Sequence, residues 1–318
     1  MMYYIGIDLG GTNIVAGVVD DSYKIISKAR VKTNLPRPAD EIVDDMALVA
    51  KQAVEEAGLK LSDIEWVGVG SPGLVNKYKG TVEYSCNLGF NNTDLAGMIK
   101  ERLGIDCYVE NDANAAAYGE MLAGAGKGTS SFVAITLGTG VGGGVIMDGK
   151  MLNGFNCAGG ELGHIVINVD GEPCGCGRNG CWEAYASATA CIRQTKRAME
   201  EHKDSKMWEL VGGNINEVSG RTAWDAMRMG DKYGKEVVDR YVYYIAVGVA
   251  NIINIIRPEV LCIGGGICNE KEYLMKPLRE HVENETYGTD KDNYTKVVVA
   301  ELGGDAGLIG AAFLGNLK

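Results

Sequence analysis

One imidazole and three thiols stand within eighteen residues near the middle of the chain, separated mostly by glycine. They are His164, Cys174, Cys176 and Cys181. Zinc prefers four nitrogen and sulfur donors in a tetrahedron, and glycine lets a short loop wrap around an ion. The alternative is a set of reduced cysteines in a glycine-rich turn, but thiols this closely spaced beside one of only three histidines favour the metal. The sequence therefore predicts a closed, structural zinc site.

Two carboxylates bracket this cluster. Glu161 precedes His164 by three residues, and Glu183 follows Cys181 by two. A loop stiffened by zinc would hold both carboxylates at one place, as the recognition of a polar substrate with several hydroxyl groups requires. We therefore interpret the zinc as a scaffold and the two glutamates as parts of a substrate site.

Two turns rich in glycine and threonine each join a pair of short apolar strands. They comprise Gly10, Gly11 and Thr12 in one and Gly138, Thr139 and Gly140 in the other. Glycine lets backbone N–H groups approach phosphate oxygens, and threonine adds a hydroxyl donor. A tight hairpin needs glycine in any case, but two such turns at equivalent places favour phosphate binding. Asp8, just before the first turn, is predicted to hold Mg²⁺ by way of water, the alternative being a polar strand end.

The two turns belong to an internal repeat. Residues 4–20 align with residues 132–148 without a gap, so that Leu9 matches Leu137. The elements around the two segments also follow one order, which favours a duplicated domain over coincidence.

A third glycine turn, containing Gly265 and Gly266, ends an apolar strand and precedes a helix. Open α/β sheets bind ligands at such places, and a flat adenine or ribose can lie against bare backbone. Strand-to-helix geometry requires glycine equally often, so the sequence leaves both interpretations open.

Asp112 follows a strand and begins a helix, and its residue type suits two roles. Aspartate is among the preferred helix N-caps. In a cleft that also holds phosphate-binding turns, it can instead accept the proton of an attacking hydroxyl group, which is the base role in phosphoryl transfer. Asn111 beside it is a natural partner for a sugar hydroxyl.

Composition limits the remaining possibilities. Lys+Arg 31 against Asp+Glu 42 gives a net charge of −11 without a basic run, which argues against a nucleic-acid partner. The chain begins directly in a strand-like pattern without leader features, so we expect a cytoplasmic protein. The longest apolar run, 241–256, is interrupted by polar residues and falls short of a bilayer span, so we expect a buried central helix and no membrane contact.

Apolar periodicity and turn residues predict the remaining elements. In the first half we expect strands near 24–33, 65–70 and 106–110 and helices near 39–58, 94–103 and 112–121. In the second half we expect strands at 131–148, 165–169, 260–264 and 296–300 and helices near 181–201, 222–229, 234–257, 270–283 and from 306. This alternation implies an α/β protein with mixed sheets covered on both faces.

The predicted domains divide where residues 110–112 leave the first sheet. We place a small α/β domain at 1–111 plus about 301–318 and a large α/β domain with the zinc-binding loop at 112–300. The final helix should cross back to the small domain, and a cleft should lie between the two.

Six motifs, in this order, resemble those of the ROK family of sugar kinases and sugar-responsive repressors and, within it, the bacterial ATP-dependent glucokinases. They are Asp8-Leu-Gly-Gly-Thr12, Gly70-Ser-Pro-Gly73, Glu110-Asn-Asp-Ala-Asn114, Leu137-Gly-Thr-Gly-Val-Gly142, Glu161-Leu-Gly-His164 and Cys174-Gly-Cys-Gly-Arg-Asn-Gly-Cys181-Trp-Glu183. The likeness covers the whole chain, and the pairing of the last two motifs is its most specific part.

The resemblance implies an actin-like ATPase (ribonuclease H-like) fold, two domains that close on the sugar, and a homodimer. It implies Asp112 as the base and the His-Cys-Cys-Cys cluster as the zinc ligands. The residues that it implies around the hexose are Gly73, Asn111, Glu161, His164 and Glu183. A zinc-bound imidazole keeps its second nitrogen free, so His164 can serve both the metal and the sugar environment.

We therefore expect ATP-dependent phosphorylation of a hexose, with glucose favoured, and with Mg²⁺ and structural zinc as cofactors. A kinase for another hexose or an N-acyl hexosamine (fructose, mannose or N-acylmannosamine) stays open, because residues 155–160 have some likeness to N-acylmannosamine kinases. A non-catalytic sugar sensor is the alternative of a different class. Repressor members carry a winged helix ahead of the kinase-like body, and we expect none here.

Overall fold

The structure is a computed structural model that describes residues 1–288 and 294–317. In chain order its strands are β1 Tyr3–Leu9, β2 Asn13–Asp20, β3 Ile25–Lys32, β4 Ile64–Ser71, β5 Leu74–Asn76, β6 Thr81–Ser85, β7 Phe90–Thr93, β8 Cys107–Asn111, β9 Phe132–Leu137, β10 Val141–Met147, β11 Lys150–Met151, β12 Val260–Gly264 and β13 Lys296–Val299. The α-helices are α1 Ala39–Glu56, α2 Leu95–Leu103, α3 Asp112–Ala123, α4 Glu183–Ala186, α5 Ala188–Glu201, α6 Met207–Leu210, α7 Thr222–Arg228, α8 Lys232–Ile256, α9 Glu272–Glu285 and α10 Ala306–Ala312.

Two five-stranded sheets share one topology. Their strand orders are β3-β2-β1-β4-β8 and β11-β10-β9-β12-β13. In the first sheet β1 pairs antiparallel with β2 and parallel with β4, and in the second β9 pairs antiparallel with β10 and parallel with β12. The matching topology confirms the predicted duplication and the mixed α/β class.

The two hairpins differ in length by one residue. Leu9 pairs with Ile14 across the first turn, whereas Leu137 pairs with Val141 across the second. The gap-free alignment of residues 4–20 with 132–148 is therefore wrong beyond the turn. The second turn closes more tightly, with Gly138 N–H donating to the carbonyl of Gly140, two residues on.

The central strands are apolar along most of their length because both faces of each sheet are covered. In β1 the side chains of Ile5, Ile7 and Leu9 are fully buried, and α1 packs against β2 and β3. In the second half the 25-residue helix α8 is the predicted central helix, and it packs against α5, α7 and α9. These contacts place one apolar core in each half of the chain.

Helices α3 and α10 connect the two halves. The closing helix α10 packs on β1 and β4 of the first sheet and along α3. A third apolar cluster joins Tyr4 and Leu308 to Phe132 and Ile146 of the second sheet. The final helix thus returns to the first half as expected. The domain limits themselves stay a prediction, and residues 289–293 and Lys318, which fall within them, lie outside the described residues.

Two sequence-based element predictions are wrong, and one small sheet was missed. Residues 165–169 form no strand but an isolated bridge between Val166 and Cys181, because this segment closes the cysteine-rich loop. The helix predicted over 181–201 is interrupted at Ser187, whose hydroxyl caps α5 by accepting from Ala190 N–H. The small sheet β5-β6-β7 was not predicted, because its strands are short, contain several polar residues and show no sustained apolar alternation.

Within residues 1–288 and 294–317, no helix combines the length and the apolar character needed to cross a bilayer.

Candidate active site

A cavity of about 950 Å³ lies where the carboxyl ends of the central strands of both sheets face each other. Sheets of this kind bind ligands at that edge. The sequence-predicted residues that line the cavity are Asp8, Gly73, Asn111, Asp112, Gly138, Gly140, Glu161, His164, Glu183, Gly265 and Gly266. Four predicted residues, Gly10, Gly11, Thr12 and Thr139, are not among the lining residues. The structure thus brings most of the predicted site to one place.

The helix N-cap at the cavity is Asn111, not Asp112. The side-chain oxygen of Asn111 accepts from Ala113 N–H at 2.9 Å and Asn114 N–H at 3.2 Å, and its amide nitrogen donates to the Gly73 carbonyl at 3.1 Å. Asp112 is the first residue of α3. The sequence could not separate cap from catalyst at Asp112, and the structure gives the capping role to its neighbour.

Burial raises the pKa of the Asp112 carboxyl, and hydrogen bonds from Ala113 N–H and Asn111 act in the opposite direction. A carboxylate whose pKa is raised is a better proton acceptor than an ordinary surface aspartate. Asp112 is only partly exposed and faces the cavity, so a bound hydroxyl group can reach it.

Asp8 is a second acidic group in the cavity, at the end of β1. It forms no hydrogen bond or ion pair with any residue in the described part of the chain, and Gly307, in the first turn of α10, lies beside its carboxylate. Burial, and to a lesser extent the charge of Asp112, raises the pKa of Asp8 to about 6. A largely buried carboxylate without a protein partner is a group that a cation would stabilise. The donor chemistry fits the hard, oxygen-preferring Mg²⁺.

The turn of residues 10–12 is held in place from behind. The hydroxyl of Thr33, which is fully buried, donates to the carbonyl of Gly10 at 2.7 Å, and Thr33 N–H donates to the carbonyl of Thr12 at 2.9 Å. The sequence analysis missed Thr33, since a lone threonine at a strand end carries no signal. The turn follows Asp8 closely in the chain, although residues 10–12 do not line the cavity.

The second turn is tied to the cysteine-rich half by Glu183. The Glu183 carboxylate accepts from Val141 N–H at 3.0 Å, and its other oxygen lies 3.5 Å from Cys174 Sγ. Gly140 leaves room for this contact, because a Cβ at this position would overlap the Glu183 carboxylate and displace it. Glu183 therefore reaches the cavity, the turn and the metal-ligand cluster at once, a connection that spacing alone did not indicate.

The four predicted zinc ligands are gathered into one cluster. Their ligand atoms all lie within 4.8 Å of one another. Cys176 Sγ and Cys181 Sγ are 3.6 Å apart, and Cys174 Sγ is 3.7 Å from His164 Nδ1. Tetrahedral zinc with bonds of about 2.0–2.3 Å has ligand-to-ligand edges of roughly 3.5–3.8 Å. The cluster therefore fits zinc, with Nδ1 of His164 on the metal side.

The third glycine turn has a steric explanation in part. Gly265 has φ +105°, and a Cβ there would overlap the carbonyl of Leu137 on the adjacent strand. Gly266 has open space around it. Gly265 is thus required by backbone packing, whereas nothing but the cavity constrains Gly266.

A smaller pocket of about 110 Å³ is lined mostly by residues of the six motifs quoted from the sequence. Asn111, Asp112 and Glu161 line both this pocket and the main cavity. Gly160 and the buried thiol of Cys157 line the smaller one only. Cys157 lies within residues 155–160, the segment whose likeness to N-acylmannosamine kinases leaves the identity of the hexose open.

Two sheets of identical topology, a cleft between them and connecting helices define the actin-like ATPase fold, with the site of a sugar kinase in the cleft. The model of the ROK family matches residues 4–317, and the chain belongs to that family.

Known proteins of this family are similar along nearly the whole chain. A glucokinase from Thermotoga maritima is 38% identical over 312 residues, covering 97% of this chain and 95% of that protein. A glucokinase from Halalkalibacterium halodurans is 34% identical over 313 residues, covering 98% and 94%. Among solved structures, a ROK family glucokinase from Streptomyces griseus in complex with glucose and AMPPNP has a TM-score of 0.82 at 36% identity and covers 98% of both chains. The family resemblance drawn from the six motifs is confirmed.

Proposed function

We propose that this protein transfers the γ-phosphoryl group of ATP to a hexose, with glucose as the preferred acceptor. The observation that carries the proposal is the position of Asp112, a partly buried carboxylate with a raised pKa in a cavity whose walls come from both sheets. Glucokinases identical at 34–38% over nearly the whole chain, and a related structure with glucose and AMPPNP, support the same reaction.

Asp112 acts as the catalytic base. The 6-hydroxyl oxygen of the sugar forms a bond to the γ-phosphorus while the bond from that phosphorus to the bridging oxygen of ADP breaks. The hydroxyl proton passes to the Asp112 carboxylate, so charge and atoms balance. Because the Asn111 side chain already caps α3, Asp112 is free to turn toward the acceptor.

The hexose contacts come from three segments. Asn111 brings its side-chain amide to the cavity, where it donates to the Gly73 carbonyl beside the place proposed for the sugar. Glu161, His164 and Glu183 supply charged and aromatic-nitrogen partners from the cysteine-rich half. Carboxylate-to-hydroxyl hydrogen bonds are stronger than neutral ones and suit a substrate with several hydroxyl groups.

The ATP phosphates are placed at the glycine turns. Two turns, Gly138, Thr139 and Gly140 in one and Gly10, Gly11 and Thr12 in the other, supply hydroxyl donors and backbone N–H donors. The N–H groups of Gly138 and Gly10 are bonded within their own turns, so the N–H donors come from the other turn residues. Gly265 and Gly266 border the nucleotide side. Asp8 would hold Mg²⁺ there. When bound, Mg²⁺ neutralises charge on the phosphates.

Zinc bound by His164 and the three cysteines has a structural role. Four protein ligands would leave no open coordination position for chemistry. Bound there, zinc would fix the loop that carries Glu183, and His164 would keep its Nε2 available on the side away from the metal.

We also propose a homodimer in the cytoplasm. The dimer rests on the family resemblance, and the cytoplasm on nine unpaired cysteines and the need for ATP. Light scattering of the purified protein gives the mass directly, and a monomer at working concentration would contradict the dimer.

The decisive experiment measures ADP formation by purified protein with ATP, Mg²⁺ and a panel of hexoses. We expect glucose to give the highest kcat/KM. A preference for N-acylmannosamine, fructose or mannose would identify that sugar as the substrate instead of glucose. Sugar binding without turnover of any hexose would identify the protein as a sensor.

A further inference from the structure

A buried carboxylate beside the base joins the two walls of the sugar pocket. Glu110 is 2% exposed and forms no ion pair in the described part of the chain. It accepts three hydrogen bonds instead, from Asn111 N–H at 2.9 Å, Asn114 Nδ2 at 3.0 Å and Asn153 Nδ2 at 2.8 Å. A buried charge satisfied only by neutral donors is costly to keep.

The first two of these bonds stay within the segment that carries the base. Glu110 is the residue before Asn111 at the end of β8, and Asn114 lies in the first turn of α3. Together they fix how the strand passes into the helix, and so where Asn111 and Asp112 point. Donors at the start of α3 also favour a negative charge there.

The third bond reaches the opposite wall of the pocket. Asn153 begins the loop of residues 153–160 that leads to Glu161, and it is 4% exposed. The loop contains three residues with left-handed φ, Gly154, Cys157 and Gly160, and its Phe155 side chain is 99% exposed. Apolar packing therefore does not hold the tip of the loop. Among the described residues, the Asn153 side chain makes the one hydrogen bond from a 153–160 side chain to a group outside the loop.

Packing alone does not explain the hydrogen-bond network of Glu110 and Asn153. The Oδ1 atom of Asn153 is buried and has no hydrogen-bond partner among the described residues. An apolar side chain would avoid that cost, whereas the asparagine keeps a bond to the carboxylate behind the base. The Asn153 backbone carbonyl also accepts from Gly159 N–H at 2.8 Å, so one residue anchors both ends of the loop.

We infer that Glu110 and Asn153 are positioning residues for hexose binding, holding the 153–160 loop so that Glu161 faces Asn111 and Asp112 across the pocket. This inference rests on the proposed function. Neither residue needs to touch the sugar, and neither serves the nucleotide side. Loss of the link should weaken hexose binding selectively.

The test is Asn153→Ala, with Asn156→Ala as the matched control. Asn156 lies in the same loop, is exposed, and bonds only to Ala158 N–H within the loop. We expect Asn153→Ala to raise KM and Kd for the hexose at least tenfold, the loss of a charge-assisted hydrogen bond. KM for ATP should stay within twofold, and Asn156→Ala should match the wild type within twofold. Hydrogen exchange of residues 153–162 should become faster only in Asn153→Ala.

Several results would overturn the inference. They are an unchanged hexose KM in folded Asn153→Ala, an equal rise in Asn156→Ala, or a parallel rise in KM for ATP. If Asn153→Ala does not fold, Glu110→Gln replaces it. Its amide leaves one buried donor unpaired whichever way Asn153 turns, so hexose KM should rise about threefold or more, and a change below twofold would contradict the inference.

The proposed function can fail separately. Wild-type protein that binds hexose without forming ADP contradicts the kinase, while calorimetric hexose binding by the same variants still decides the role of the loop. Wild-type protein that binds no hexose overturns both.

Discussion

The carboxylate of Asp8 should cost the protein stability when no cation or nucleotide is bound, and Asp8→Asn should remove that cost. The pKa of Asp8 is raised from 3.8 to about 6, first by burial and then by the charge of Asp112. The folded state therefore resists ionising this group, whereas the unfolded chain ionises it freely. Asparagine has nearly the same shape and carries no charge.

The magnitude follows from the pKa difference. About two pKa units at roughly 1.4 kcal/mol each give a cost of about 3 kcal/mol once both states are ionised. The sign is that of a group whose folded pKa is raised. The contribution of Asp8 to the free energy of unfolding is fully present below pH 3.8, where the group is protonated in both states. It is lost as the pH rises through about 6 and stays lost above that pH. The gain in free energy of unfolding from Asp8→Asn should therefore grow between about pH 4 and pH 6 and then level off at up to about 3 kcal/mol.

Urea unfolding of the protein without Mg²⁺ or nucleotide, with its zinc retained, at pH 4.5, 6 and 8 measures this effect. Asp20→Asn is the matched control, because Asp20 is also a buried aspartate of the same hairpin. Burial alone would raise the pKa of Asp20, but hydrogen bonds from Ser22 and Lys24 outweigh it and lower the pKa. Its carboxylate thus stabilises the fold above the unfolded pKa, so Asp20→Asn should destabilise the protein at pH 8. The two substitutions should act with opposite sign.

We expect Asp8→Asn to change activity and stability in opposite directions. Asp8→Asn should lower kcat/KM while raising the free energy of unfolding, as expected for a group retained for function. An Asp8→Asn variant no more stable than the wild type at pH 8, or one whose advantage is equal at pH 4.5 and pH 8, would refute the reasoning.

Three further substitutions separate the roles of the other site residues. Asp112→Asn should not lower stability, since Asn111 is the helix cap and burial disfavours the charge of Asp112, and it should lower kcat by about 10²–10⁴ with a modest change in hexose Kd; near-wild-type turnover would exclude Asp112 as the base. Cys176→Ser should reduce the zinc content below one ion per chain by elemental analysis and lower both Tm and activity, whereas fully active metal-free protein would contradict a structural zinc. Glu183→Gln should raise KM for the hexose far more than KM for ATP, and an unchanged hexose KM would leave Glu183 outside the sugar site.

Much of the fold could be predicted because its strongest signals are local. Alternating strands and helices gave the α/β class, and the repeated hairpin gave the duplication, which the two strand orders confirm. The errors have physical causes. Residues 165–169 carry a strand-like apolar pattern, but they are occupied in closing the cysteine-rich loop and have no strand to pair with. The polar β5–β7 sheet offered no pattern, since packing against its neighbours and not periodicity defines it.

The candidate site divides in the same way. Residues with unusual chemistry at short spacing, such as the ligand cluster and Asp112, could be found from sequence, because the chemistry itself limits which residue types can serve. Glu110, Asn153 and Thr33 could not, because their role comes from partners far along the chain. Glu110 and Asn153 are 43 residues apart and meet only through the fold.

The arrangement also explains why one short segment, residues 110–114, can serve several tasks. Glu110 bonds back into the protein, Asn111 caps the helix and holds Gly73, Asp112 faces the cavity, and Asn114 returns to Glu110. Because α3 begins at Asp112 and packs along α10, which itself lies on β1 and β4, the proposed base stands at the start of the helix pair that connects both halves. Asp8 lies in β1, on which α10 packs, so we expect Asp8 to keep its position relative to Asp112 if the halves close on a sugar. We expect such a closure to bring the wall that carries Glu161 toward Asp112.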